Sequence, residues 1–130
     1  MGDRRPERVY GLIRREDRIF LLHAMGKLGL PGGEFRELAA DRKVELTAHI
    51  YDQLGVEARS IWAQGAFDYQ DATEDHPHFS GFYSVWELDG AIEARKGVWL
   101  DAAAVADAPI PTSLRVLLTS LLDTRAMRTR

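Results

Sequence analysis

Residues 26–33 read G-K-L-G-L-P-G-G, and four glycines and a proline within eight positions favour a loop with unusual backbone angles. Residues 39–54 then read A-A-D-R-K-V-E-L-T-A-H-I-Y-D-Q-L and contain neither Gly nor Pro. Gly55 follows this run and is a natural C-terminal helix cap. The pattern predicts a glycine-rich loop over Gly26–Gly33 followed by a helix over Ala39–Leu54, and this pair decides the fold.

The segments on both sides of this pair have the composition of β-strands. Arg8–Arg15 and Arg18–Ala24 are rich in β-branched and aromatic residues and are separated by two acidic residues, which predicts a hairpin. After the helix, strands are predicted over Ile61–Tyr69 and Phe79–Leu88 with a polar loop between them. The last predicted elements are a short strand over Gly97–Leu100, a helical turn over Asp101–Ala106 and a leucine-rich helix over Pro111–Leu122.

The composition of the chain is that of a globular domain, with 130 residues of which 45% are hydrophobic and 28% charged. We expect one domain over residues 1–130, with flexible termini at about residues 1–7 and 125–130. The absence of cysteine excludes disulfides, zinc–thiolate sites and thiol catalysis. No apolar run approaches the roughly 20 residues of a membrane-spanning helix, so we expect a cytoplasmic protein with no membrane partner.

The formal net charge of −3 is unevenly distributed along the chain. Residues 31–120 carry seven basic and fifteen acidic side chains, whereas both ends are basic. A surface that binds duplex nucleic acid needs clustered Lys and Arg, so the acidic middle disfavours nucleic acid as a partner. It favours a site that attracts cations.

The predicted central helix has two different sides when its residues are placed about 100° apart. The side predicted to face the core comprises Val44, Leu46, Thr47, Ala48, Ile50, Tyr51 and Leu54. The polar side comprises Asp41, Arg42, Glu45, His49, Asp52 and Gln53. Four of these polar residues, Asp41, Glu45, His49 and Asp52, are potential metal ligands, although a solvated helix face has the same composition.

The order of these elements resembles the Nudix hydrolase superfamily over nearly the whole chain. The residues that carry the resemblance are Leu28, Leu30, Pro31, Gly32 and Gly33 in the loop, Leu54-Gly55-Val56 at the helix end and Val98-Trp99-Leu100 before the terminal helix. The resemblance implies an α/β/α sandwich with a mixed sheet, in which the central and terminal helices cover opposite faces. It also implies that the glycine-rich loop lies beside the N-terminal part of the central helix, with Gly32 and Gly33 binding substrate.

The family signature is G-x5-E-x7-R-E-U-x-E-E-x-G-U, where U is a bulky apolar residue, and this chain resembles it in the apolar frame but not in the acids. Gly33 and Gly55 are 22 positions apart, one more than the signature has. Aligning the two ends sets Ala39 at the loop Glu and Ala48 at the Arg with which that Glu pairs. The same alignment sets His49, Asp52 and Gln53 at the three helix acids. Losing both members of an ion pair costs less than losing one, which is consistent with a reshaped loop.

Nudix chemistry is the attack of water on a phosphoanhydride of a nucleoside diphosphate derivative, assisted by magnesium or manganese bound to carboxylates. Because only Asp52 remains of the three helix acids, the resemblance implies a divergent Nudix protein with weak or absent hydrolase activity. Such a protein is expected to bind a nucleotide or another phosphorylated small molecule.

Two alternatives stay open. The first is an active metal-dependent hydrolase in which Asp52, Glu45 and His49 serve as catalytic residues and metal ligands, with an ion such as manganese or zinc that accepts imidazole. Residues 71–78, D-A-T-E-D-H-P-H, are a further source of ligands or of a general base. The second alternative is a protein-interaction module on the same scaffold, because a fold does not fix a function. A homodimer is compatible with every one of these readings.

Overall fold

The structure of the protein is a computed structural model that describes residues 7–24, 26–35, 41–71 and 75–128. In these ranges the chain combines a mixed sheet with three α-helices, so the predicted α/β class is confirmed. In chain order they are β1 (Arg8–Arg15), β2 (Arg18–Ala24), β3 (Lys27–Gly29), β4 (Gly32–Glu34), α1 (Arg42–Leu54), β5 (Ala58–Tyr69), β6 (His78–Leu88), a 3₁₀ turn (Ala94–Lys96), β7 (Gly97–Leu100), α2 (Ala102–Asp107) and α3 (Thr112–Arg128).

The sheet is mixed and is organised around β1. This strand runs parallel to β6, pairing Val9 with Gly81 and Ile13 with Val85, and antiparallel to β4. β5 lies antiparallel to β6 on the far side. β2 pairs antiparallel with β3 and β7, and it meets β1 at the hairpin turn. The hairpin therefore connects two groups of strands, β4-β1-β6-β5 and β3-β2-β7.

Apolar side chains are buried on both faces of β1, because successive residues of a strand point to opposite sides. On one face, β1 packs against α1, and on the other it packs against α2 and α3. The α1 side includes Val9, Ile13, Leu46, Ile50 and Leu54, and the α3 side includes Tyr10, Leu12, Val105, Leu114 and Leu118. The predicted α/β/α sandwich is confirmed.

The central helix begins later than predicted. Its first residue is Arg42, because the Asp41 side chain accepts the backbone N–H of Lys43 at 2.7 Å and caps the helix from an extended conformation. Ala39, the predicted first residue, lies outside the described residues. The end of the helix is as predicted, with Gly55 in the left-handed conformation donating its N–H to the Tyr51 carbonyl at 2.8 Å.

The terminal helix is longer than predicted, since its backbone continues beyond Leu122 to Arg128. Residues 1–6 and 129–130, which belong to the predicted flexible termini, lie outside the described residues. Among the helices of the described ranges, none is long and apolar enough to cross a membrane.

The glycine-rich segment is more regular than the predicted loop, because two short strands form within it. β3 pairs with β2 and β4 pairs with β1, the latter placing Gly33 beside Val9 and Gly32 beside Tyr10. β3 forms a local hairpin with β2, whereas β4 pairs with a strand that is distant in sequence, so local composition carried no signal for β4.

The predicted core side of α1 was partly wrong. Leu46, Ile50 and Leu54 are buried as expected, but Val44 and Tyr51 are each 60% exposed. Glu45, predicted on the polar side, is only 6% exposed. The reason is that β4 packs against the polar side of α1, so the helix is rotated relative to the prediction and turns its Val44 and Tyr51 side to solvent.

Candidate functional site

The candidate site begins at the strained turn that leads into β4. Gly32 has a φ of 138°, and a Cβ at this position would lie 2.1 Å from the Val9 carbonyl oxygen. The Pro31 carbonyl accepts the Gly11 N–H at 2.8 Å, which holds the turn against β1. Only glycine fits here, because it has no Cβ and tolerates this φ. The Leu-Pro-Gly-Gly sequence therefore fixes β4 tightly between β1 and α1.

Gln53 of α1 binds both backbone groups of Gly32. The Gly32 N–H donates to Gln53 Oε1 at 3.0 Å, and Gln53 Nε2 donates to the Gly32 carbonyl at 2.9 Å. The amide side chain matches this donor and acceptor pair, whereas a carboxylate at the same position would repel the carbonyl. We call this pair of bonds the amide clamp.

His49 binds the same strand one helical turn earlier. Its Nε2 lies 2.8 Å from the Glu34 carbonyl oxygen, and since a carbonyl can only accept, Nε2 is the nitrogen that carries the proton. The ring packs against Gly33, where a Cβ would lie 3.1 Å from His49 Cε1. His49 Nε2 is also 3.4 Å from Glu45 Oε2. The structure thus brings Glu45 and His49 together against β4.

Asp52 is exposed on α1, whereas Glu45 is buried beside His49. In the ranges that the structure describes, no group of three or more His, Asp or Glu side chains is arranged to hold a metal ion. The triad of Glu45, His49 and Asp52 therefore stays a prediction. The predicted substrate residues Gly32 and Gly33 form β4, and they face the clamp and the His49 ring.

The glycine-rich segment was expected beside the N-terminal part of the central helix, and this was wrong. Gly32 contacts Gln53 and Gly33 contacts His49, so β4 lies along the C-terminal half of α1. β4 is held by its antiparallel pairing with β1, and it runs along α1 from Gln53 at Gly32 to His49 at Gly33 and Glu34, so its first residue lies near the C-terminal end of the helix.

The loop between β5 and β6 holds polar side chains at two separate places, and its residues 72–74 lie outside the described residues. Asp71 accepts a long hydrogen bond from the Tyr10 hydroxyl, with 3.5 Å between oxygens. His78 Nδ1 lies 3.0 Å from Glu7 Oε1, and its ring centroid is 4.6 Å from that of His76. Asp71 therefore contacts β1 at Tyr10, and His78 contacts Glu7, the residue before β1. The role of this loop as a source of metal ligands or of a general base stays a prediction.

A cavity of about 500 Å³, which sequence reasoning missed, opens beside Asp71. Its polar lining is Lys27, Gln70, Asp71 and Ser113, and its apolar wall is Pro109, Ile110 and Pro111. The lining comes from β3, the end of β5 and the start of α3. Because these segments are far apart in sequence, no local motif marks them.

The floor beside this cavity is aromatic. The Tyr10 ring packs edge-on against Tyr69, with centroids 5.2 Å apart, and stacks on Phe82. Burial, with the negative charge of Asp71 as a smaller cause, raises the pKa of Tyr69 far above its ordinary value. The Tyr69 hydroxyl therefore stays protonated and adds no negative charge beside Asp71.

Comparison with known proteins finds matches among solved structures but none among family models or curated sequences. No protein-family model matches the chain. No curated protein matches its sequence either.

Many solved structures superpose on the chain at low sequence identity. The solution structure of the ORF135 protein of E. coli has a TM-score of 0.73 and 20% identity, covering 95% of this chain and 92% of that one. A MutT NUDIX hydrolase from Burkholderia pseudomallei has a TM-score of 0.66 and 22% identity, covering 91% of this chain and 98% of that one. A UDP-X diphosphatase has a TM-score of 0.67 and 17% identity, covering 97% of this chain and 66% of that one. With its mixed sheet between α1 and α3, this chain has the fold of the Nudix hydrolases.

Proposed function

We propose that this protein binds a nucleoside diphosphate derivative, or a similar phosphorylated small molecule, and that it hydrolyses it with magnesium very slowly or not at all. The observation that carries the second part is the amide clamp, in which both polar groups of Gln53 are bound to Gly32 at 3.0 and 2.9 Å. The helix position that is acidic in the Nudix signature is aligned with Gln53, whose amide joins α1 to β4.

The donors present at this site do not fit magnesium. Magnesium takes oxygen ligands in octahedral geometry, usually carboxylates and water. The one side-chain oxygen of Gln53 already accepts the Gly32 N–H, and His49 directs its proton-bearing Nε2 to the Glu34 carbonyl. Glu45 is nearly buried beside His49, and Asp52 alone is exposed. We therefore infer that these residues do not hold magnesium for catalysis.

The hydrolase alternative requires a softer ion than magnesium, such as manganese or zinc, because these ions accept imidazole as a ligand. Binding through His49 requires that its Nε2 lose its proton and leave the Glu34 carbonyl, or that the ion use Nδ1 beside Gly33. The first route breaks the His49 bond to β4, and for the second the described ranges offer no group of three ligand side chains around the ion, so this alternative comes second.

The cavity at the start of α3 supports the binding part of the proposal. Ligand pockets are mostly apolar with a few placed polar groups, and about 500 Å³ lies within their usual size range. The apolar wall at Ile110 suits a planar heterocycle, and Gln70 and Asp71 supply donors and acceptors for its edge. Lys27 supplies a positive charge for a phosphate. One structural neighbour is named a UDP-X diphosphatase, which makes a nucleoside diphosphate the natural first probe.

A substitution at the cavity mouth tests this proposal. Ser113 lines the cavity near the exposed start of α3, so Ser113→Tyr is expected to fill it with little cost in stability. Isothermal calorimetry with ADP, GDP, CDP and UDP, without added metal, should show binding of at least one nucleotide by the unsubstituted protein. Ser113→Tyr should weaken that binding at least about tenfold, because a blocked pocket excludes the base.

The matched control is Thr119→Tyr, on an exposed part of α3 outside the cavity lining. It should bind like the unsubstituted protein. If none of the four nucleotides binds, or if both variants bind alike, the cavity is not the nucleotide site. Such a result would favour the alternative in which the protein is a protein-interaction module.

A further inference from the structure

The outward side of α1 is an apolar groove that the proposed function does not use. Val44, Thr47, Ala48 and Tyr51 line a groove of about 610 Å³, and Val44 and Tyr51 are each 60% exposed. The Thr47 hydroxyl donates to the Lys43 carbonyl at 2.8 Å, so this hydroxyl needs no partner in an apolar contact. The four residues are spaced i, i+3, i+4 and i+7, which is the spacing of a helix–helix contact seam.

The ends of the groove carry opposite charges. Lys43 lines it beside the first turn of α1, and Glu57 and Asp89 line it beyond the last turn. Asp89 Oδ1 accepts the Glu57 N–H at 2.8 Å, which fixes the two acidic residues at one end. Arg59 Nη2 lies 3.4 Å from Glu57 Oε1, and the two carboxylates with this one guanidinium leave that end with a net negative charge. The groove is therefore basic at one end, apolar in the middle and net acidic at the other end.

We propose that the occupant of this groove is a second copy of the chain, with the two α1 helices antiparallel about a two-fold axis. A two-fold axis that lies in the interface and perpendicular to α1 makes the two α1 helices antiparallel. Each long edge of the groove then faces the same long edge of the partner subunit. Lys43 then faces Glu57 and Asp89 of the partner subunit, and the contact is made twice. Val44 lies opposite Tyr51 of the partner subunit, so apolar residues meet in the middle.

A foreign helix would need an opposite charge pattern of its own, whereas this chain already carries one. The charge pattern of the groove is complementary to itself when reversed, which favours self-association and disfavours a parallel arrangement, since like ends would then meet. Stable interfaces bury roughly 1,600 Å² in total, and two turns of helix supply only part of that area. We therefore expect a dimer that dissociates on dilution.

The proposed interface is separate from the candidate site. The amide clamp and the His49 contacts lie on the β4 side of α1, and the cavity at Ser113 is lined by other elements. The dimer goes beyond the proposed function, and its presence or absence leaves the nucleotide-binding test unaffected.

Charge reversal with rescue tests this inference. Sedimentation velocity over about a hundred-fold range of protein concentration should show a monomer–dimer equilibrium for the unsubstituted chain. Lys43→Glu should raise the dissociation constant at least about tenfold, because it places a carboxylate opposite Glu57 and Asp89 of the partner subunit. Glu57→Lys should raise it less, because Asp89 of the partner subunit stays opposite Lys43. The double variant restores one pair of opposite charges and should bring the constant below that of Lys43→Glu alone.

Two further variants separate this interface from any other. Tyr51→Glu places a charge in the apolar middle and should leave only monomer. Val116→Glu, at a side chain that is 63% exposed on α3, should leave the equilibrium unchanged. A monomer at every concentration, a dimer that survives Tyr51→Glu, or a charge-swapped double variant that stays monomeric would each overturn the proposal. Circular dichroism melting of every variant shows that the folded proteins are being compared.

Discussion

Replacing Gly32 by alanine is expected to lower the free energy of unfolding by about 4 kcal/mol, which is near the upper end for single substitutions. The added Cβ would lie 2.1 Å from the Val9 carbonyl oxygen and 2.8 Å from the Tyr10 Cα, and neither backbone atom can move without shifting β1. The residue must also keep a φ of 138°, which side chains disfavour. Since Gly32 holds both bonds of the amide clamp, a shift of β4 breaks the clamp as well.

Urea unfolding followed by circular dichroism measures this loss, and two other glycines serve as controls. Gly65 has open space around its Cβ position, so Gly65→Ala should change stability by no more than about 0.5 kcal/mol. Gly26 has open space but a φ of 77°, so Gly26→Ala should cost about 1–2 kcal/mol from backbone strain alone. If Gly32→Ala costs no more than Gly26→Ala, β4 does not approach β1 as closely as described.

Restoring carboxylates on α1 is expected to create a magnesium site. In the double variant His49→Glu, Gln53→Glu, two new acids join Glu45 and Asp52 on one helix. Clustered carboxylates are the donors that magnesium takes from proteins, so its affinity should rise at least about tenfold. The same change removes the amide clamp and the His49 bond to Glu34, so the variant is expected to be less stable without metal and to regain stability with it.

Calorimetric titration of magnesium checks this expectation, and a neutral variant separates charge from clamp loss. His49→Met, Gln53→Met removes the same hydrogen bonds to β4 without adding acids, and it should bind magnesium no better than the original protein. Adding Asp52→Asn to the carboxylate variant should remove part of the gain. If the carboxylate variant binds no better than the neutral one, the alignment of this helix with the Nudix signature is wrong.

Elements specified by local sequence were predicted well. The β1–β2 hairpin and β7 have the predicted bounds, because alternating β-branched and aromatic residues with polar breaks mark such strands within their own length. The end of α1 at Gly55 was found for the same reason. The start at Asp41 was missed because Ala39 and Ala40 before it are good helix formers, although Asp41 is the one residue of a capping type between Gly33 and Arg42.

Features that depend on distant segments were not accessible to the same reasoning. A helical wheel separates two sides of α1 but does not tell which neighbour each side meets. Glu45 is buried and Tyr51 is exposed because β4, held by its pairing with β1, occupies the polar side. The cavity was missed because Lys27, Asp71 and Ser113 come together only through the tertiary fold.

The sequence placed the candidate site residues on α1, and two residues of this helix, His49 and Gln53, contact β4. The assembly of Glu45, His49 and Asp52 into one metal site stays a prediction. What the sequence left open is the partner of each side chain. Gln53 was counted as a lost acid, and its amide proves to bind Gly32 through both of its polar groups.

The measurement that tests the central claim most directly is turnover by the unsubstituted protein with magnesium. Phosphorus NMR can follow the cleavage of UDP-glucose, ADP-ribose and nucleoside triphosphates at a saturating magnesium concentration. In the proposed alignment, Gln53 and His49 stand at two positions where the Nudix signature has charge-stabilising acids, so we predict rates at least about 10²-fold below the roughly 10 s⁻¹ of a typical enzyme. Turnover of any of these compounds near that typical rate, abolished by Asp52→Asn, would contradict the account.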